Sequence, residues 1–493
     1  MPEESYPQYH RSERDGPLTF RTKLYQGVGA IPDTVKNWSF NTFTLLYYNQ
    51  ILGMDAFFVS IALAIAIVFD AITDPLIATL SDNSRSRWGR RHPLMLFASL
   101  PLGVALYAVF VPPAGLSEKG LFFWLLAFTI LTRGLMTLYF VPWAAIAAEL
   151  SDDYQERTSV MAFRFAVGWM VGVAVPLYVF SFVMPGTSEY PVGQLNPAGY
   201  PRMALIVGCL MSAGALATTL LTWREIPYLR QHTGYVAPFG LMQTMRELVQ
   251  ALRNRQFALI FLIVLISSAI AGTTANIAIY MTTYFWGFTT EDLRWFTLSA
   301  AGALVAFPMV ALVQRRWDKK HILLSCSVVS LVEGVMIVNL RFLDVLPENG
   351  DPMLLAILVG AGVIAVIIAV IQGIIGASMV ADLLDDHELR TGYRQEAMFN
   401  AALSFSGKAV SGFGTILGGL IITLIAFPIG AVPAEVPADT VVRLGLFVGV
   451  AVPLLYLIPI SLITRYRITR ERHAEITAAL EARRAGREET PVQ

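Results

Sequence analysis

Phe69-Asp-Ala-Ile-Thr-Asp-Pro75 lies inside an apolar run from about 56 to 80. Asp70 and Asp74 stand one turn of a helix apart and so share a face. A carboxylate near the centre of a bilayer costs roughly 2.5–3.5 kcal/mol on insertion scales, and such groups are kept where they face a bundle interior and bind something. Thr73 adds a hydroxyl near that face. Pro75 has no N–H and so frees the carbonyl of Ala71. A freed carbonyl, a hydroxyl and two carboxylates within one turn form an oxygen-rich nest suited to Na⁺ or a proton.

Working outward, the whole chain is apolar. Of its 493 residues, 55% are hydrophobic and 15% charged, against about 25% charged in soluble domains. Apolar stretches long enough to span a bilayer run at about 24–52, 56–80, 93–113, 120–148, 158–184 and 201–222. They resume at about 257–287, 294–314, 322–341, 353–380, 396–428 and 440–465. The expected fold is therefore an all-α membrane protein, with twelve transmembrane helices in two sets of six. The boundaries read 1–222 for an N-terminal half, 223–256 for a cytoplasmic linker, 257–466 for a C-terminal half and 467–493 for a tail. Leu241-Met-Gln-Thr-Met-Arg-Glu-Leu-Val-Gln-Ala-Leu252 in the linker reads either as a helix on the membrane surface or as a solvated connector.

Bases cluster after the second and eighth spans (Arg85, Arg87, Arg90, Arg91; Arg315, Arg316, Lys319, Lys320), in the linker and in the tail. The positive-inside rule then places both termini in the cytoplasm, and the expected location is the plasma membrane. The segment before the first span is polar and mixed in charge, so a removable signal peptide is not expected. A net charge of zero gives no reason to expect nucleic-acid binding. Cys209 and Cys326 both fall in apolar runs, which indicates neither a disulfide framework nor zinc.

An internal repeat ties the two halves together. Arg87-Trp-Gly-Arg-Arg-His-Pro-Leu94 recurs in the second half as Arg316-Trp-Asp-Lys-Lys-His-Ile-Leu323. Ala148-Glu-Leu-Ser-Asp-Asp153 recurs, at nearly the same offset, as Ala381-Asp-Leu-Leu-Asp-Asp386. Both pairs join equivalent helices, as expected of two parallel repeats around a central cavity. These loops either serve topology alone or latch the halves together as gates. Arg87, Arg90 and Arg91 are the basic candidates, and Asp82, Asp152, Asp153, Asp385 and Asp386 the acidic ones.

Polar groups at mid-membrane depth supply the candidate site. Asp33, Asp70 and Lys408 each fall about ten to twelve residues from the end of a span, near the bilayer centre at about 1.5 Å per residue. Asp33, Asn37, Asn41, Thr44 and Tyr48 draw one polar stripe along the first span. With Trp38 and Phe40 alongside, the stripe suits a polyhydroxy or amphipathic ligand; alternatively, Asp33 and Lys36 neutralise each other and fix packing. Lys408 has no acid within a turn, so Asp70 or Asp74 is its expected partner, and its release on cation arrival would couple ion occupancy to shape. Arg164 either reaches a substrate hydroxyl or anionic head group or extends to the membrane surface. Nucleophile elbows, zinc spacings and phosphate loops are absent, so an enzyme is not expected.

Asp70-Ala-Ile-Thr-Asp-Pro75 followed by Ser86-Arg-Trp-Gly-Arg-Arg-His-Pro93 resembles the glycoside–pentoside–hexuronide:cation symporters of the major facilitator superfamily. Thr22-Lys-Leu24, Gly27-Val-Gly-Ala30, Met379-Val-Ala-Asp382 and Lys408 also match. The resemblance implies cation ligands at Asp70, Asp74 and Thr137, a substrate contact at Arg164 and a coupling lysine at Lys408. Three departures stand out: Phe140 and Thr73 replace an aspartate and an asparagine of the family's melibiose carrier, and the acid of that carrier's first span falls at Thr34, beside Asp33. The expected function is symport of a small polar solute, a glycoside or other sugar, driven by H⁺ or Na⁺ and requiring no other cofactor. The Asp-xxx-Asp-Pro pattern is shared with sodium-dependent lysophospholipid symporters, so a lysolipid is the alternative cargo. The expected partners are the solute, the cation and membrane lipid, and a monomer is the expected working unit.

Overall fold

The computed structural model describes residues 9–10, 14, 16–84, 86, 88–151, 153–229, 231–232, 252, 254–391 and 412–488. Ten of its helices are long and apolar enough to cross a membrane. The first five are α3 (Ala56–Asn83), α4 (His92–Phe110), α5 (Glu118–Glu149), α6 (Gln155–Val183) and α7 (Gly199–Leu221). The second five are α8 (Arg255–Phe285), α9 (Thr290–Arg316), α10 (Lys319–Phe342), α11 (Pro352–Leu389) and α13 (Ala438–Thr464). A shorter apolar helix, α12 (Gly412–Leu424), precedes α13, and α14 (Arg470–Glu488) follows it. Among the described residues the only strands are a two-residue pair, with Tyr9 opposite His232 and His10 opposite Gln231.

The first predicted span is broken into α1 (Phe20–Val28) and α2 (Ile31–Ser39), with two π-helical turns, Phe40–Thr44 and Tyr47–Ile51, beyond them. The break is local chemistry. Pro32 has no N–H to donate to Val28, and at Gly29 an added Cβ would lie 2.0 Å from Trp143 Nε1. The indole occupies the notch. Its Nε1 donates to the Gln26 carbonyl at 3.0 Å, Gln26 Nε2 donates to the Trp143 carbonyl at 2.8 Å, and the Tyr139 hydroxyl donates to the Gly29 carbonyl at 3.0 Å. Carbonyls orphaned by the break are thus satisfied by α5, as a buried backbone in lipid requires.

Each spanning helix sorts its side chains. On α4, Phe97, Leu100 and Val104 are more than 60% exposed, whereas Met95, Ala98, Leu102 and Leu106 are fully buried. The exposed stripe follows helical spacing and is the face available to acyl chains.

The two sets of helices meet most closely at the end remote from the Arg90 and Lys319 loops. Tyr280 and Tyr284 of α8 donate to Asn49 Oδ1 (2.8 Å) and Gln50 Oε1 (3.2 Å). Gln194, just before α7, exchanges hydrogen bonds with Thr283 and Thr290 at 3.1 and 2.7 Å. Gly419 of α12 lets α3 approach so closely that a Cβ there would meet Ser60 Oγ at 1.9 Å. Two carboxylates also accept across this end, Glu291 from the Gly186 N–H at 3.0 Å and Asp55 from the Thr423 hydroxyl at 3.3 Å.

At the opposite end the charged loops close within each set. Arg91 pairs with Glu149 at 2.7 Å and Asp82 at 3.6 Å; Arg90 contacts the same two acids. In the second set Lys319 pairs with Asp382 at 2.7 Å. Arg90 and Lys319 occupy equivalent places in one repeated motif, Glu149 and Asp382 in the other. The two sequence repeats are therefore partners in space, once per half.

Candidate functional site

Between the halves lies a cavity of about 560 Å³ whose wall includes Asp33, Asn37, Asn41, Asp70, Asp74 and Thr137, with Asn276 and Thr415 contributed by the second set. Pro75 is accommodated within an uninterrupted α3, and Asp70 and Asp74 project from it toward α5. Thr137 Oγ1 sits 2.8 Å from Asp70 Oδ1 and 3.0 Å from Asp74 Oδ1. A hydroxyl carries one proton, so it fully serves only one of two carboxylate oxygens. The three oxygens thus converge at the edge of that cavity, between helices of the first half.

Thr73 takes a different place: its hydroxyl donates to the Asp70 carbonyl at 3.2 Å. The polar stripe of the first span divides. Asp33, Asn37 and Asn41 face the cavity, whereas Thr44 is fully buried and Tyr48 donates to the Val109 carbonyl at 2.7 Å. The π-helical turns that begin at Phe40 rotate the later positions off the face. Trp38 packs edge-on against Phe43 and Phe180 and lines neither cavity described here. Asp33 and Lys36 do pair, at 3.1 Å, and both remain on the cavity wall.

A second cavity of about 430 Å³ adjoins the first, sharing Asp33 and Phe140. Arg164 lines it, with its guanidinium 3.7 Å above the Trp143 ring, and Phe165, Trp169 and Ala300 complete an apolar wall. Arg164 is thus held at the site by the same indole that fills the notch in the first helix. Phe140, where the resemblance leads one to expect an acid, forms the partition between a polar and an apolar chamber.

Lys408, Arg87 and Asp152 lie outside the described residues. Of the other gate candidates, Arg90 and Arg91 are engaged with Glu149 and Asp82, Asp153 accepts from the Glu156 N–H at 2.8 Å and caps α6, and Asp385 contacts His473 of α14 at 3.2 Å. Asp386 is buried. Two residues at these places escaped the sequence reading. Glu149 joins the candidate Asp82 in pairing with the loop arginines. Arg133 of α5 lines the central cavity with its guanidinium 3.4 Å from Asp70. Its signal was available: a base in the middle of an apolar span, one turn before Thr137.

The family described as MFS/sugar transport protein matches residues 25–470. The chain belongs to that family. It is a multi-pass membrane transporter of the major facilitator type and not an enzyme. An "Uncharacterized symporter" of Synechocystis sp. is 26% identical over 94% of this chain and 97% of its own length. The "Putative glycoside/cation symporter YagG" of Escherichia coli is 23% identical over 96% of this chain and 97% of its own. A sodium-dependent lysophosphatidylcholine symporter of Mus musculus is 32% identical over 32% of this chain and 31% of its own. Among solved structures, the nucleoside transporter NupG superposes over 91% of this chain and all of its own, with TM-score 0.60 and 13% identity, which establishes a shared major facilitator fold.

Proposed function

We propose that this chain is a cation-coupled symporter that carries a small polar solute, a glycoside or other sugar, by alternating access. One observation carries the reading: Asp70, Asp74 and Thr137 converge on a single point at the wall of the cavity between the halves. Arrival of the coupling cation discharges that point. Solute held by Asp33, Asn37, Asn41 and Arg164 completes the cavity, and the halves 1–222 and 257–466 rock about it. The closed end and the end that carries the basic loops then exchange roles, with those loops, both termini, the 223–256 linker and the 467–493 tail on the cytoplasmic side of the plasma membrane. The working unit is a monomer. The name of the Escherichia coli relative supports a glycoside.

A lysophospholipid cargo is the second reading, and one feature favours it. The chamber beside Arg164 has apolar walls, and Phe165, Trp169 and Met161 on its rim are exposed on α6, where acyl chains would lie. Uptake into energised proteoliposomes, with glycosides and lysophosphatidylcholines in parallel, separates the two. In either case Asp70→Asn and Asp74→Asn abolish gradient-driven accumulation while exchange without a gradient persists. Undiminished accumulation in both variants overturns the symport reading.

A further inference from the structure

The carboxylate pair has a third neighbour that bears on which ion it takes. Arg133 Nη1 lies 3.4 Å from Asp70 Oδ2, while Thr137 takes Asp70 Oδ1, so both oxygens of Asp70 face protein donors. The guanidinium is held in place, being 15% exposed and 6.0 Å above the Phe40 ring. Its Nε is buried and has no hydrogen-bond partner among the described residues. Charged and titratable groups around it are Asp33 and Lys36 from α2 and Asp70 and Asp74 from α3; α8 and the described part of the α12 segment bring only neutral Asn276 and Thr415. A guanidinium never gives up its charge under physiological conditions, and it presents donors where a metal ion needs lone pairs.

We propose that Arg133 is a specificity-determining residue for the coupling ion, taking the second oxygen of Asp70 that a sodium ion would need and thereby excluding it. This inference rests on the symport reading above and narrows its ion. A sodium ion at the Asp70–Thr137–Asp74 point would sit a few ångströms from a fixed positive charge. Such a contact weakens binding by about a hundredfold or more in a partly solvated site. The same charge also lowers the carboxylates' affinity for a proton, so the discrimination rests on coordination: a sodium ion needs several oxygen lone pairs, of which Arg133 takes those on Asp70 Oδ2, whereas a proton needs only one. The chain thereby parts company with its relative named for sodium dependence, although it keeps a pair of aspartates that could serve a cation.

The test uses the purified full chain and Na⁺ itself as probe, with choline holding ionic strength constant. Binding of radioactive sodium is read directly, without any solute. The native chain is expected to show no saturable Na⁺ binding at millimolar concentrations. Arg133→Ala and Arg133→Gln are expected to gain it, at least tenfold tighter than any residual native signal, and to lose it again when combined with Asp74→Asn. Arg133→Lys, which keeps the charge, is expected to stay silent. Saturable Na⁺ binding by the native chain overturns the proposal while leaving symport intact. So does silence of both neutral variants when they elute as folded protein. Failure of the symport reading is a separate result: no accumulation of any solute under either a proton or a sodium gradient.

Discussion

Gly29→Ala puts one methyl group into the notch that Trp143 fills. Its Cβ would stand 2.0 Å from Nε1 and 2.5 and 2.6 Å from Cε2 and Cδ1, well inside contact. The indole has little room to withdraw: Arg164 stacks on one face at 3.7 Å, and Tyr139 lies nearly parallel to it at 6.4 Å between centroids. Overpacking of this kind costs about 1–3 kcal/mol. Losing the buried Nε1 bond to the Gln26 carbonyl adds about 1 kcal/mol. The variant is therefore expected to be about 2–4 kcal/mol less stable. The assay is thermal unfolding in detergent followed by tryptophan fluorescence, with Trp143→Ala and the double variant alongside. Once the indole is gone the methyl has space, so Gly29→Ala is expected to cost little in the Trp143→Ala background. Native-like melting of Gly29→Ala, or full additivity in the double variant, would refute the account of how the first helix is broken and held.

Thr137→Val keeps shape and removes the hydroxyl that joins the two carboxylates. A hydrogen bond to a charged group is worth about 1.5–3 kcal/mol, so the cation concentration that half-activates uptake is expected to rise about tenfold or more. Glu149→Gln leaves Arg90 and Arg91 with only the longer, more exposed contacts to Asp82 as counter-charge. Burial already holds the Arg91 guanidinium below its ordinary range, and Glu149 is the largest influence opposing that. A loss of about 3–5 kcal/mol is expected, read as a lower melting temperature that added salt does not restore. Gln194→Leu removes bonds to Thr283, Thr290 and the Phe288 carbonyl across the closed end. At about 0.5–1.5 kcal/mol each, their loss favours opening there. The thiol of an added Asn276→Cys substitution is then expected to react at least tenfold faster with an impermeant maleimide applied from that side, and an unchanged rate would count against this closure.

Local chemistry decided much of this protein. Long apolar runs leave the backbone no means of satisfying itself in lipid except helices, so the membrane fold could be read from hydropathy alone. The two loop motifs, each recurring at nearly one offset, announced two related halves. Asp70 and Asp74 one turn apart announced the candidate ion site, because spacing along a helix fixes a shared face whatever surrounds it. Only the packed structure decided which groups complete that face. Thr44 and Tyr48 fell out of the stripe because π-helical turns rotate the first helix, a register change invisible to a count of about 3.6 residues per turn. Glu149 meets Arg90 and Arg91 through the geometry of two helix ends brought together. Arg133 meets Asp70 from a different helix, far along the chain. Contacts between helices depend on crossing angle and depth, which no single segment encodes, and it is such a contact that sets a fixed positive charge beside the aspartate pair.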